Sequence, residues 1–393
     1  MRQANTCAVC LCALGLASAV VLAQAQGTIT GVRPIAPPAT GLPPEIESAN
    51  VRKFSFIAYG DTRGSADGVS LQTEHARVVD RILAVLPEQR VAGFPVKFVL
   101  QSGDAVASGR TTPQWDTSFT PIIDRLTREA GLPYFFAVGN HDVGSQPKGG
   151  TEREQGYQNV AAAMAALWPS EGSPRRLNGY PTFSFGFGQY FFIALDSDIV
   201  SDATQRAWVA KQLETLDRQR FPHVVVFFHH PPITSGSHGG STVVEAASEQ
   251  MRTTYMPLFR QHHVRMVVAG HDHLFDHFVE RYEDASGIHR LDHVVSGGGG
   301  APTYVYRGEP NFERYVETAK PDRVTIEHLA RPGPNEVDNP HHFVVFDVDG
   351  DRLWIRVVSS GTGRFEPHGT PRLELTDPVA VTSSAGARAP AAR

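Results

Sequence analysis

The sequence predicts an α/β fold, a sandwich of two mixed β-sheets flanked by helices, and three observations carry that expectation. Short apolar runs alternate with stretches of helical periodicity, which argues for βαβ units. Five such runs end abruptly in small polar clusters, as strands do where a parallel sheet opens onto a ligand site. Two further stretches, 182–195 and 342–358, have the pattern of hairpins and call for a second, mixed sheet facing the first.

Residues 1–25 stand apart from the fold. Arg2 gives a weakly basic start, Ala8 to Leu22 is apolar, and Ala23-Gln24-Ala25 places small residues at a cleavage position. The expectation is a signal peptide, with the protein exported to a periplasm or secreted. The apolar core is short for a span of about 20 residues, and no cysteine has a lipoprotein setting, so no membrane anchor is expected after cleavage. All three cysteines (Cys7, Cys10, Cys12) lie in this segment, so the cleaved chain would hold no thiol and no disulfide. Losing Arg2 takes the formal charge from -5 to -6. With no basic stripe, no nucleic-acid binding surface is evident, nor one for anionic membranes.

Residues 26–50, rich in Pro and Gly, read as an extended leader. Residues 51–375 form the expected domain, with a core over 54–296 and a closing β segment over 341–358. Residues 376–393, rich in Ala, Ser and Pro, read as a disordered tail. Within the domain, Phe54 to Tyr59 is short and apolar and reads as a buried strand. Gln72 to Leu86 has apolar residues at helical spacing and is expected to stop at Pro87. Lys97 to Leu100 and Tyr134 to Val138 continue as strands around a helix over Thr120 to Ala130. Val224 to Phe228 and Met266 to Ala269 repeat the strand pattern, with helices expected over 204–220 and 245–262. Two stretches, 144–180 and 303–340, are long, polar and rich in Pro and Gly, as insertions near a site are.

The clusters that end the five strands are Gly60-Asp61-Thr62-Arg63, Gly103-Asp104, Gly139-Asn140-His141-Asp142, His229-His230-Pro231-Pro232 and Gly270-His271-Asp272-His273. The strands are expected to bring all of them to one sheet edge. Aspartate, asparagine and histidine suit a pair of hard-to-borderline metal ions. A carboxylate bridges two cations, and an imidazole ligates with one nitrogen while an outer acceptor holds the other. Two metals about 3.5–4 Å apart activate a water and neutralise phosphoryl oxygens, and an unligated histidine serves the departing alkoxide. The chemistry indicated is metal-dependent phosphoester hydrolysis.

In this order the clusters resemble the calcineurin-like metallophosphoesterase superfamily, most of all its purple-acid-phosphatase-like branch, from about Phe54 to Ser296 and weakly to Val358. The resemblance implies two metal ions, of iron, zinc or manganese. Asp61 and His273 would hold the first, Asn140, His229 and His271 the second, with Asp104 bridging. His141 would be the catalytic histidine, His230 would stand outside the ligands, and Asp196-Ser197-Asp198 would be structural. Much of the superfamily has a histidine ligand where this chain has Arg63, which cannot ligate. The purple branch has a tyrosine where this chain has Ala107. The first site is therefore expected to be weaker and more exchangeable, without tyrosinate colour. Arg63 is expected either to grip a phosphoryl oxygen or to pair with a neighbouring carboxylate such as Asp142.

His238, in the Gly/Ser-rich stretch after Pro232, could line the pocket but reads first as part of a mobile loop, and the remaining histidines read as surface or core. The Ser296 to Gly300 run lacks the Lys and Ser/Thr of a P-loop, and backbone crowding explains its glycines. The expected function is hydrolysis of small-molecule phosphomonoesters. The alternatives are a phosphodiesterase for a nucleotide or lipid headgroup, and a metal- or phosphate-binding module with little turnover.

Overall fold

The computed structural model describes residues 31–144, 148–241, 244–318 and 323–375. The expected signal peptide and tail lie outside the described residues. Among the described residues thirteen strands run β1 (Lys53–Tyr59), β2 (Val96–Gln101), β3 (Tyr134–Phe136), β4 (Phe183–Phe187), β5 (Tyr190–Ala194), β6 (His223–Phe227), β7 (Met266–Ala269), β8 (Phe275–Asp284), β9 (Gly287–Ser296), β10 (Arg323–Ala330), β11 (His342–Asp349), β12 (Arg352–Ser359) and β13 (Leu373–Glu374). They form a six-stranded sheet in the order β13-β12-β11-β1-β2-β3 and a seven-stranded sheet in the order β10-β8-β9-β7-β6-β5-β4. Parallel β1-β2-β3 adjoins antiparallel β11 on one side, and parallel β5-β6-β7-β9 lies between antiparallel β4 and β8. Two mixed sheets are what the sequence predicts.

The strands pair because their inward faces are aromatic. Phe98 of β2 lies on Phe56 of β1 at 5.6 Å and meets Phe185 and Phe192 of the other sheet edge-on at 5.4 and 5.1 Å. Each such ring, taken from water, contributes about 1.5–3 kcal/mol. The opposite face of β1 packs on α1 (Thr73–Val91), whose Val78, Val79, Ile82 and Val85 are buried.

That helix corrects one expectation, since it continues through Pro87. A proline inside a helix costs about 3 kcal/mol. Anchors in the last turn offset it: the Gln89 amide donates to Ser55 Oγ at 2.9 Å and to Asp347 Oδ1 at 2.5 Å.

The hairpins also differ from expectation. The β4–β5 hairpin joins β6, whereas β11–β12 extends the other sheet beside β1. A hairpin's pattern specifies its internal register but not the sheet edge it joins. The five clusters consequently do not share one sheet. Asp61, Asp104 and Asn140 follow β1, β2 and β3, while His229, His271 and His273 follow β6 and β7. They meet where the carboxyl ends of both sheets adjoin. The 303–340 stretch supplies a short helix, Phe312–Thr318, and the edge strand β10. Residues 31–50 run along the domain, with Val32 and Ile35 buried and Arg175 paired to Glu45 at 2.7 Å.

Candidate metal centre

The loops that carry the predicted ligands have unusual backbones. Asp61, Asp104 and His271 sit at φ 61°, 55° and 70°, the left-handed region that costs a non-glycine residue about 1–3 kcal/mol. Cross-bonding between loops holds them there. Asp61 N–H donates to Gly103 O at 2.9 Å, Thr62 N–H to Asp104 O at 2.9 Å, and His271 N–H to Asp61 Oδ2 at 2.9 Å. Gly139 must be glycine, because a Cβ there would strike Asp104 Oδ1. The Gly297 position is equally full, since a Cβ would strike Asp272 O, so the glycine run answers to crowding as expected.

All four ligands predicted for the second metal come together. His229 Nδ1 lies 2.9 Å from Ser102 O, and a carbonyl only accepts, so Nδ1 carries the proton and Nε2 a lone pair. His271 Nε2 is 2.5 Å from Glu245 Oε2, which leaves Nδ1 free. Around His229 Nε2 stand Asn140 Oδ1 at 3.1 Å, His271 Nδ1 at 3.1 Å and Asp104 Oδ1 at 3.3 Å. Four acceptors facing one another repel unless a cation lies among them. Bonds near 2.1 Å place ligand atoms about 3.0–3.4 Å apart, so the set fits a metal ion. Burial pushes both imidazoles below their ordinary range, and neighbouring histidines lower His271 further. Both are thus neutral, as ligands must be.

The first position is less complete. His273 Nδ1 donates to Pro302 O at 2.7 Å, and its Nε2 stands 3.5 Å from Asp61 Oδ1, a buried oxygen with no hydrogen-bond partner. Burial and then Arg63 lower the His273 imidazole to about 4. Burial and the Asp104 charge push the Asp61 carboxyl well up. Burial also works upward on Asp104, but His229, His141 and Arg63 outweigh it and hold that carboxyl below the usual range. The Arg63 guanidinium lies beside this position, with Nε 3.4 Å from Asp104 Oδ2 and Nη2 3.5 Å from His273 Nε2. It does not pair with Asp142. That buried carboxylate is taken by four backbone N–H groups: Asp104 and Gly139 at 2.8 Å, Ala105 at 2.9 Å and Val106 at 3.4 Å.

His141 stands at the rim. Its Nδ1 donates to Ala107 O at 2.8 Å, and its Nε2 is 3.9 Å from Asp104 Oδ2, so it is near the ligands without being one. His230 packs its ring 4.3 Å from that of His271 while its Nδ1 lies 2.9 Å from Ser197 Oγ. Asp196 of the same segment pairs with buried Arg153, so the segment is structural as expected. The sequence does not mark Tyr304 or Glu245, and for His238 it favours a mobile loop over the pocket. His238 is fixed rather than mobile, with Nδ1 2.9 Å from Asp272 Oδ1 and its ring 4.0 Å from that of His271. Burial lowers it, but Asp272 outweighs that and raises the imidazole above its ordinary range. Tyr304 stacks on His273 at 4.1 Å, and Glu245 holds the outer nitrogen of His271. Asp272, which lies between two predicted ligands, is the residue whose carboxylate holds His238.

The sequence profile of calcineurin-like phosphoesterases matches residues 56–275, which contains all six predicted ligands. The chain belongs to the calcineurin-like phosphoesterase family. An uncharacterized protein of Mycobacterium tuberculosis is 29% identical over 281 residues, 58% of this phosphoesterase and 48% of that protein. A probable purple acid phosphatase 20 of Arabidopsis thaliana is 26% identical over 233 residues, 59% and 48% of the two chains. The phosphoesterase thus spans about half the length of the curated relatives it matches. In fold it is similar to purple acid phosphatase PPD1 from yellow lupin seeds, with a TM-score of 0.55, 17% identity and coverage of 82% and 53%.

Proposed function

We propose that this phosphoesterase hydrolyses phosphomonoesters in a metal-dependent reaction, and that it acts outside the cytoplasm. The observation that carries the reading is the all-acceptor cluster around His229 Nε2, with His141 unligated at its rim. A metal ion held by Asp104, Asn140, His229 and His271 would supply Lewis acidity toward the phosphoryl oxygens and a water of lowered pKa, with Asp61 and His273 lining the cation position beside it.

The side chains do the rest. Arg63, its side chain 23% exposed, can reach a phosphoryl oxygen beside the Asp104 carboxylate. Water oxygen bonds to phosphorus and the ester P–O bond breaks. Because His141 Nδ1 is committed to Ala107 O, the proton for the departing oxygen comes from Nε2. Asp272 holds His238 at the same rim, where a raised imidazole favours a bound phosphoryl dianion.

The test is metal content of the purified protein, with turnover of p-nitrophenyl phosphate and bis-p-nitrophenyl phosphate before and after chelation. Chelator-sensitive release from the monoester is expected. Release from the diester alone would make this a phosphodiesterase, and phosphate binding without any turnover would make it a binding module. Export is supported by the apolar stretch Ala8 to Leu22 before Ala23-Gln24-Ala25. Full-length protein of uncleaved mass, recovered only from the cytoplasm, would overturn it.

A further inference from the structure

We propose that the Arg63 guanidinium fills the first cation position, so that the centre holds one resident metal ion and uses Arg63 as its second positive charge. This rests on the ligand assignment above and changes what that assignment means.

The first position offers three protein atoms, Asp61 Oδ1, Asp104 Oδ2 and His273 Nε2. The guanidinium stands against two of them, at 3.4 Å from Asp104 Oδ2 and 3.5 Å from His273 Nε2. The His273 lone pair faces Arg63 because Nδ1 carries the proton, donated to Pro302 O. No alternative cation is needed to satisfy that nitrogen. Arg63 is also placed by its backbone: its N–H donates to Asp104 O at 3.2 Å, and Thr62 Oγ1 donates to Ala105 O at 3.0 Å. The guanidinium therefore starts from a Cα pinned to the bridging carboxylate's own loop.

Among the described residues, neither Ala107 nor Tyr304 adds a fourth ligand. Ala107 contributes only backbone, its N–H to Asp67 Oδ2 at 3.0 Å and its O to His141. Tyr304 lies flat on the His273 ring, 20° from parallel, so it covers the imidazole face rather than the ligand edge.

Charge bears on the same position. One divalent ion plus Arg63 already exceeds the two carboxylates by a single unit, and a bound phosphoryl dianion takes the site to a net charge of minus one. A second divalent ion would sit within a few ångströms of a permanent cation that shares its ligands, and this repulsion lowers its affinity by about tenfold or more. The second position has no such neighbour among its ligand atoms.

The experiment uses the full chain stripped of metal and titrated with Mn(II). Bound metal is counted after gel filtration, and electron paramagnetic resonance distinguishes isolated from exchange-coupled ions. Wild type is expected to retain one ion per chain with an isolated Mn(II) signal. Arg63→His, which restores a ligand, is expected to retain two and show coupling. Arg63→Ala, which only removes the charge, should tighten the second binding step about tenfold or more. Circular dichroism confirms that each variant is folded.

Two comparably tight, coupled ions in wild type would overturn the proposal, as would one ion in both folded variants. The hydrolase reading fails separately. A stoichiometry that rises from one to two in Arg63→His, with no ester turned over by either protein, keeps the Arg63 proposal and discards the activity.

Discussion

Asp142 binds no metal in the arrangement above, yet its replacement by asparagine is predicted to damage both stability and metal retention. Its carboxylate receives N–H groups from Asp104 and Gly139 on one oxygen and from Ala105 and Val106 on the other. An asparagine keeps one oxygen and turns an NH₂ toward the remaining two donors. If the oxygen stays with Asp104 and Gly139, the Ala105 N–H loses a 2.9 Å bond and the Val106 N–H a 3.4 Å one. A buried donor left unpaired costs about 1–3 kcal/mol, and the facing donors add to it, so a loss of about 2–4 kcal/mol follows. The same change releases the loop that keeps Asp104 at φ 55°. Metal content should fall with stability although no ligand was touched. Urea denaturation and metal analysis of Asp142→Asn test this. A variant with wild-type midpoint and full metal would refute the clamp.

His141→Ala should keep its metal and lose about 10²–10⁴-fold in turnover of p-nitrophenyl phosphate, the range for a general acid. Loss of metal would instead make His141 a ligand. His75 and His342 are buried, which lowers their imidazoles from 6.5 to about 3 and about 4. Groups depressed in the fold contribute stability that is complete above 6.5 and lost as pH falls toward 4 and then 3. At pH 5 each costs about 2 kcal/mol, and unfolding there should take up protons, whereas calorimetry showing none would refute this. Arg153→Met leaves buried Asp196 without its partner and should cost about 3–5 kcal/mol by urea denaturation. Phe98→Ala, at the aromatic contact between sheets, should cost about 3–5 kcal/mol in the same assay.

What the sequence displayed was whatever a short window can carry. Each ligand follows a strand of at most seven residues, and the strand's apolar run, its end and the polar residue after it are adjacent in the chain. That is why Asp61, Asp104, Asn140, His229, His271 and His273 could be singled out together. Pairing between distant strands was not displayed. The edge that β11 finds on β1 depends on residues nearly 300 positions apart, such as Ser55 and Asp347. Pro87 was misjudged for the same reason, because the anchors that keep α1 going lie on β1 and β11. The Arg63 neighbourhood was invisible because His273 reaches it from the other sheet. Glu245 and His238 sit where no periodicity exists to read.

The placement of the centre between the two sheets has a mechanical consequence. One set of ligands hangs from β1, β2 and β3 and the other from β6 and β7. Asp104 and Asn140 would thus share an ion with His229 and His271, which lie 89 or more residues further along the chain. A bound ion is a rivet through both layers. No cysteine occurs after Cys12, so the domain has no covalent cross-link to do that work. An ion that binds only the folded chain stabilises it by about 2.7 kcal/mol at a hundredfold excess over its dissociation constant. The layers should then separate more readily in a chelator, and the reagent that stops the chemistry would also loosen the sandwich.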